Sequence, residues 1–251
     1  MRLILFTKRF KDAGPASLIE TGHALGLDGF DLCVRPDYHV TPENALVKLP
    51  ETVATLRADG LDVPMVTGNF DLLSPDHPTA LPLLRAMDAA DVRLLKLGYF
   101  FFDPASESYR DVLDTARRAL EDWEPLAREY NVKICYHTHS GMFLGVNASC
   151  LAHMLDGRDP DCLGAYIDPG HLALDGEEFP FAVAILRDYL SIMAVKDVAV
   201  ERVEKNGHGA RKRSFVEAGQ GIVDWTEVFD TLAGEFDDIP GAVAHIFGIN
   251  G

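Results

Sequence analysis

The chain has 251 residues, 47% of them hydrophobic, and 23 Lys+Arg against 39 Asp+Glu leave a formal net charge of −16. That length suits one large core. So acidic a surface disfavours nucleic acid and anionic membranes by charge repulsion, and no run of eighteen apolar residues is present to span a bilayer. The four cysteines, Cys33, Cys135, Cys150 and Cys162, form no Cys-x-x-Cys pair. They read as small buried hydrophobes in a reducing cytoplasm rather than as a zinc knuckle or disulfide framework.

Met1-Arg2-Leu3-Ile4-Leu5-Phe6 turns polar too soon for a signal peptide and reads as a first strand. From there, β-type runs alternate with segments of helical spacing. Strands are expected at Leu3–Thr7, Phe30–Val34, Val63–Thr67, Leu94–Phe101, Val132–Tyr136, Gly164–Ile167, Ile192–Val195 and Ala242–Ile246. Helices are expected at Ala16–Leu25, Pro50–Ala58, Ala80–Ala89, Tyr109–Tyr130, Ala148–Leu155, Phe181–Tyr189 and Trp225–Leu232. Eight strands and seven helices give an α/β fold, a single (β/α)8 TIM barrel over residues 1–251 that lacks its final helix. A doubly wound sheet is the runner-up. Its usual Gly-rich phosphate loop is missing after the first strand, where Thr7-Lys8-Arg9-Phe10-Lys11 stands, and no nucleotide cofactor is expected. Ending on His245-Ile246-Phe247-Gly248-Ile249-Asn250-Gly251 would leave barrel wall bare, so a second copy of the chain is expected to cover it.

In such a barrel the chemistry sits where strands give way to loops at their C-terminal ends. The early strands supply Lys8, Asp31, Arg35, Thr67, Asn69, Lys96 and Tyr99, polar groups suited to gripping hydroxyls or a carboxylate. Arg35, fixed by the following Pro36, presents a rigid fork to anions. The fifth strand ends in Tyr136-His137-Thr138-His139-Ser140-Gly141. Because strand side chains alternate, His137 and His139 share one face, as metal ligands or as a general-base pair. Asp168-Pro169-Gly170-His171 closes the sixth strand, where the carboxylate either binds metal, orients a histidine or caps a turn. Lys196 ends the seventh, a fixed positive charge able to stabilise an enolate or a partner in an ion pair. A long polar loop from Glu201 to Ser214 then carries Lys205, His208, Arg211, Lys212 and Arg213, with the character of a lid over the mouth. Asp224 is the expected N-cap of the last helix.

The order Tyr136-His-Thr-His-Ser-Gly, Tyr166-Ile-Asp-Pro-Gly-His, Val195-Lys-Asp and Gly219-Gln-Gly-Ile-Val-Asp-Trp resembles the sugar phosphate isomerase/epimerase superfamily. These are xylose-isomerase-like barrels that include ketose 3-epimerases and inosose dehydratase. The resemblance spans essentially the whole chain. It implies a sugar, polyol or keto-sugar substrate and proton abstraction next to a carbonyl, assisted by Mn2+, Mg2+ or Co2+. The family's metal set is Glu, Asp, His and Glu after strands five to eight. Here His137 stands at the first position, Asp168 matches the second, Ala194 replaces the third, and His245-Ile246-Phe247 lacks the last carboxylate. His137 and Asp168, with His139 or His245 as further donors, suit Zn2+ better than Mg2+.

The resemblance further implies that His171 touches substrate; Arg35 and Asn69, read from their rim positions, and His208, from the polar loop, are expected to bind it too. Three readings stay open. His137 or His139 is the base, with Lys196 or a divalent metal (Mn, Zn, Co or Mg) stabilising the enolate of a small carbohydrate or polyol in an isomerase, epimerase or related dehydratase. Alternatively the site is metal-free, with Lys196 in the cation's place, or the barrel binds a carbohydrate or a partner subunit without catalysis.

Overall fold

The structure, a computed structural model, describes residues 2–235 and 243–246. Eight parallel strands close into a barrel. In chain order they are β1 (Arg2–Phe6), β2 (Gly29–Cys33), β3 (Asp62–Thr67), β4 (Leu94–Lys96), β5 (Lys133–His137), β6 (Leu163–Ile167), β7 (Leu190–Val195) and, after an excursion, β10 (Val243–Ile246). Neighbours around the barrel follow the order β1-β10-β7-β6-β5-β4-β3-β2. β10 pairs with both β1 and β7, so the last strand closes the ring as the sequence led us to expect. The side chains of β10, His245 among them, and residues 247–251 lie outside the described residues.

The helices that cover the barrel are α1 (Pro15–Leu25), α2 (Ala45–Ala58), α3 (Ala80–Ala89), α4 (Tyr109–Tyr130), α5 (Ala148–Leu155), α6 (Pro169–Asp175), α7 (Phe179–Leu186) and α8 (Trp225–Glu235). Their apolar faces meet the outward residues of the strands, such as Phe30, Leu32, Val66, Leu95, Ile134 and Tyr136, in one continuous core. The inward residues form a second, small cluster of Ile4, Met65, Cys135, Tyr166, Ile192 and Ala194. This alternation aims the site. On β5, inward Cys135 puts His137 inward, and the same parity puts Thr67 with Met65 and Lys96 with Leu94 inside the barrel. All four cysteines are buried and free.

Four expectations need correction. β4 ends at Lys96, not Phe101, because the chain from Gly98 on pairs with the 69–72 turn instead of β5: Gly98 N–H donates to Leu72 O and Tyr99 N–H to Phe70 O, and an added Cβ at Gly98 would lie 1.8 Å from Phe70 O. α2 starts five residues before Pro50 and carries that proline inside its first turns. Asp168-Pro169 opens the short helix α6, with Asp168 as N-cap and Pro169 in the first turn, where a missing N–H costs nothing. The fourth concerns the stretch from Glu201 to Ser214, which is no loop. It lies within an antiparallel hairpin, β8 (Asp197–Lys205) and β9 (His208–Val216), paired along its whole length. Asn206 and Gly207, with φ of 53° and 78°, form its two-residue turn.

Candidate active site

At the β5–β7 side of the mouth, short polar contacts lock three histidines, a carboxylate and a lysine together. Asp168 is fully buried. Its backbone N–H donates to Thr138 Oγ1 at 2.9 Å, and its Oδ1 accepts the His171 N–H at 3.0 Å, which caps α6. Lys196 Nζ lies 3.0 Å from Asp168 Oδ2 and 2.9 Å from His171 Nε2. An ammonium has only protons to offer, so His171 Nε2 is the acceptor, and its Nδ1–H donates to Ser140 Oγ at 2.8 Å. Both ring nitrogens of His171 are therefore committed within the protein. α6 can approach this closely because residue 170 is glycine, whose Cβ would meet Lys196 O at 2.7 Å.

His137 bonds Tyr99 Oη through Nδ1 at 2.7 Å and rests 4.2 Å, centroid to centroid, from the Tyr166 ring. Its Nε2 points at Asp168 Oδ2 from 3.4 Å. The two atoms are in direct ion-pair range of one another, with no room for a ligand group between them, and Oδ2 is met by the Lys196 ammonium as well. His139 is the exception in the cluster. Its Nδ1 lies 2.8 Å from the carbonyl oxygen of Ser140, which can only accept, so Nδ1 carries the proton and Nε2 keeps a bare lone pair. His171, Tyr99 and Phe143 surround that ring, with centroids 3.9, 4.7 and 5.0 Å away.

Burial sets the protonation of these groups. Desolvation first, and then the cationic neighbours, push His137 well below its usual range, His139 down to about 4 and His171 down to about 3. Asp168 goes the other way: against the cost of burial, Lys196 and the histidines hold it well below the usual carboxylate range. The resting site therefore carries neutral imidazoles and one closed ion pair.

The β1–β4 side differs. Asp31 accepts both contacts of the Thr67 hydroxyl, at 2.7 and 2.9 Å, and burial pushes its pKa up to about 7. Arg35 Nε donates to Gly68 O at 2.7 Å while its guanidinium lies 4.2 Å from the Phe70 ring centroid. Asn69 follows, half-buried, with its carbonyl closing the turn to Leu72. Lys96 sits at 4.3 Å over the Tyr99 ring.

His208 is not brought to the site. It lies exposed at the hairpin tip, opposite Lys205, about 23 Å along the strand from Phe215 at roughly 3.3 Å per residue. The hairpin reaches the site through Phe215 instead, whose ring is 5.5 Å from His171 and 4.9 Å from Lys196 Nζ. Sequence reasoning missed Phe215 and Ser140, and it missed the job of Asp197. That carboxylate accepts the N–H groups of Val198, Gly219, Gly221 and Val223 and the Trp225 indole, and so ties the hairpin base to the start of α8.

A divalent cation needs converging donors. Among the described residues, no group of three His, Cys, Asp or Glu side chains is placed to hold one. The oxygen such an ion would use, Asp168 Oδ2, already faces the Lys196 ammonium, and the inward residue two before it on β7 is Ala194. The described donor set does not fit a resident metal.

A closed parallel barrel with buried titratable groups at the C-terminal ends of its strands is the layout of a TIM-barrel enzyme. Residues 19–241 match the family of xylose isomerase-like TIM barrels, and the chain belongs to that family. It is 28% identical over 133 residues to inosose dehydratase 2 of Bacillus cereus, which is 45% of this chain and 43% of that protein. Over 128 residues it is 27% identical to inosose dehydratase of Clostridium perfringens, 47% of this chain and 42% of that one. The match thus spans less than half the length of these relatives. Among solved structures, 3-keto-D-glucoside 4-epimerase of E. coli superposes with a TM-score of 0.74 at 14% identity, covering 100% of this chain and 93% of that one. D-psicose 3-epimerase of Clostridium cellulolyticum gives 0.73 at 15% identity, covering 100% and 86%. These likenesses are of fold. No described helix is long and apolar enough to cross a membrane.

Proposed function

We propose that the protein is a sugar or polyol isomerase, epimerase or related dehydratase that removes the proton next to a substrate carbonyl. The observation that carries this reading is the bare Nε2 of His139, set among aromatic rings within one cluster with an ammonium. Burial lowers its pKa to about 4, so the nitrogen is unprotonated at pH 7 and available as an acceptor, with its basicity reduced until a substrate or the Lys196 charge changes its surroundings. As the C–H bond breaks, charge moves onto the carbonyl oxygen, and Lys196, held by Asp168 and His171, offers a fixed positive charge to it. Return of the proton to the same carbon on the other face gives an epimer, and return to the adjacent carbon gives an isomer. Loss of a β-hydroxyl with a proton, as water, gives the dehydrated ketone. The activities named for the relatives, inosose dehydratase and keto-sugar epimerases, all begin with a substrate that can lose such a proton.

The test is exchange in D2O. Wild-type protein incubated with a panel of inososes, ketohexoses and keto-acid sugars should erase the proton NMR signal next to the carbonyl of at least one member. His139→Gln should slow that exchange by about 10²–10⁴-fold, the usual contribution of a general base. No exchange with any member, or exchange unaffected by the substitution, sinks the reading.

A further inference from the structure

The β1–β4 half of the mouth holds buried cations that no carboxylate meets in an ion pair among the described residues. Arg35 is 7% exposed and Lys96 is 4% exposed. Arg35 uses Nε on Gly68 O, and among the described residues neither terminal nitrogen has a protein acceptor or an ion-pair partner. Stacking on Phe70 fixes the plane of the guanidinium, so the two remaining N–H edges form a rigid fork. Lys96 Nζ reaches only the Leu97 carbonyl, at 3.3 Å, and the face of Tyr99. Asp31 is the carboxylate on this side, and it is turned to the Thr67 hydroxyl. Lys8 stands at the rim above, and burial followed by the like charges of Arg35 and Lys196 lowers its pKa. Lys96 is likewise lowered, to about 7, first by burial and then by Arg35, while the charge of Asp31, which makes no ion pair with it, acts the other way.

Burying a charge without a partner destabilises a fold, and such groups are retained where they serve a ligand. In a chain of net charge −16 this local excess runs against the overall field. We propose that Arg35 and Lys96 form an oxyanion subsite, so that the substrate is a polyol or keto-sugar carrying an anionic group, carboxylate or phosphoryl, at one end. Assigning that group to the substrate rests on the function proposed above. The subsite itself rests on the unpaired cations. With the anion on the β1–β4 side, the carbon chain runs across the mouth toward His139 and Lys196.

Three six-carbon polyols that differ only at C1 separate the possibilities: D-sorbitol, D-gluconate and D-sorbitol 1-phosphate. Calorimetric titration at constant ionic strength should give at least one anion an affinity about tenfold or more above sorbitol, the scale of one buried charge-assisted hydrogen bond. The tighter of the two names the anionic group. Lys96→Met should erase the preference while raising the Tm of the free protein, because it removes a buried ammonium that makes no ion pair among the described residues, without leaving a cavity. Arg35→Lys, which keeps the charge and loses the fork, should weaken the preferred anion by a smaller factor. Equal or absent binding of all three polyols overturns the proposal. So does a Tm lowered by Lys96→Met, which would make the lysine a structural partner. Proton exchange on a neutral ketose without any anion preference would discard the subsite and keep the function. Anion preference without exchange on any substrate would do the reverse.

Discussion

The two halves of the barrel mouth use charge in opposite ways. On the β5–β7 side, Asp168, Lys196, His171 and Ser140 satisfy one another in a chain of contacts between 2.8 and 3.0 Å. On the β1–β4 side, Arg35 and Lys96 are as deeply buried and have no ion-pair partner among the described residues. Groups that complete each other hold a geometry, and groups left incomplete hold capacity for something else. On the proposed function, the first half positions the chemistry and the second binds the substrate.

The sharpest way to break this contrast is Asp168→Ala. It removes the counter-charge of Lys196 and the cap of α6 together. We expect a loss of about 3–5 kcal/mol in urea unfolding, the cost of stripping one partner from a buried ion pair, and turnover lost with it. A change under about 1 kcal/mol would mean that the ammonium finds water at once and that this half is no more closed than the other. His139→Gln, with its expected loss of about 10²–10⁴-fold in exchange, should by contrast leave unfolding nearly unchanged, since that residue is only half-buried.

Acid should act chiefly through the chemistry half. His137, His139 and His171 all titrate below their ordinary 6.5 in the folded protein, so the unfolded chain binds more protons as pH falls from there. Their contribution to stability is complete above about 6.5 and drains away toward the folded values near 4 and 3. Asp31, raised from 3.8 to about 7, works the other way over the same window, because the folded state binds its proton first. Three groups outweigh one, so Tm should fall steadily from about pH 7 to about pH 4.5 in a thermal scan. A flat or rising Tm would show that the binding half governs the acid response.

Sequence alone carried the architecture and one edge of the site. Alternation from inward Cys135 puts His137 on the inner face, with His139 two residues past the end of β5, and the eight apolar runs counted the strands. Two local signals were present and outvoted. Asn206-Gly207 between alternating residues is a hairpin turn, but the charges of Glu201–Ser214 read as a loop. Asp168-Pro169 is a helix start as much as a turn. What could not be read locally were the pairings, since Tyr99 meets His137 across 38 residues and Ser140 meets His171 across 31. The lack of ion-pair partners at Arg35 and Lys96 is less legible still, because it depends on what every neighbouring strand fails to supply.

The smallest predicted effects come from a feature the two halves share. Each has an exposed phenylalanine over a cation: Phe70, 56% exposed, over Arg35 at 4.2 Å, and Phe215, 55% exposed, over Lys196 at 4.9 Å. At such exposure the cation–π contact is worth about 0.5–1 kcal/mol, so either alanine variant should change Tm by no more than a few degrees. The two should nonetheless diverge in kinetics. Phe70→Ala loosens the guanidinium fork and should raise KM a few-fold at constant kcat. Phe215→Ala uncovers the Lys196–His171 contact to water, raises the local dielectric around the developing oxyanion, and should lower kcat a few-fold at constant KM. Identical kinetic signatures would mean that both rings merely shield one continuous pocket, and the division of the mouth into a binding half and a chemical half would go with them.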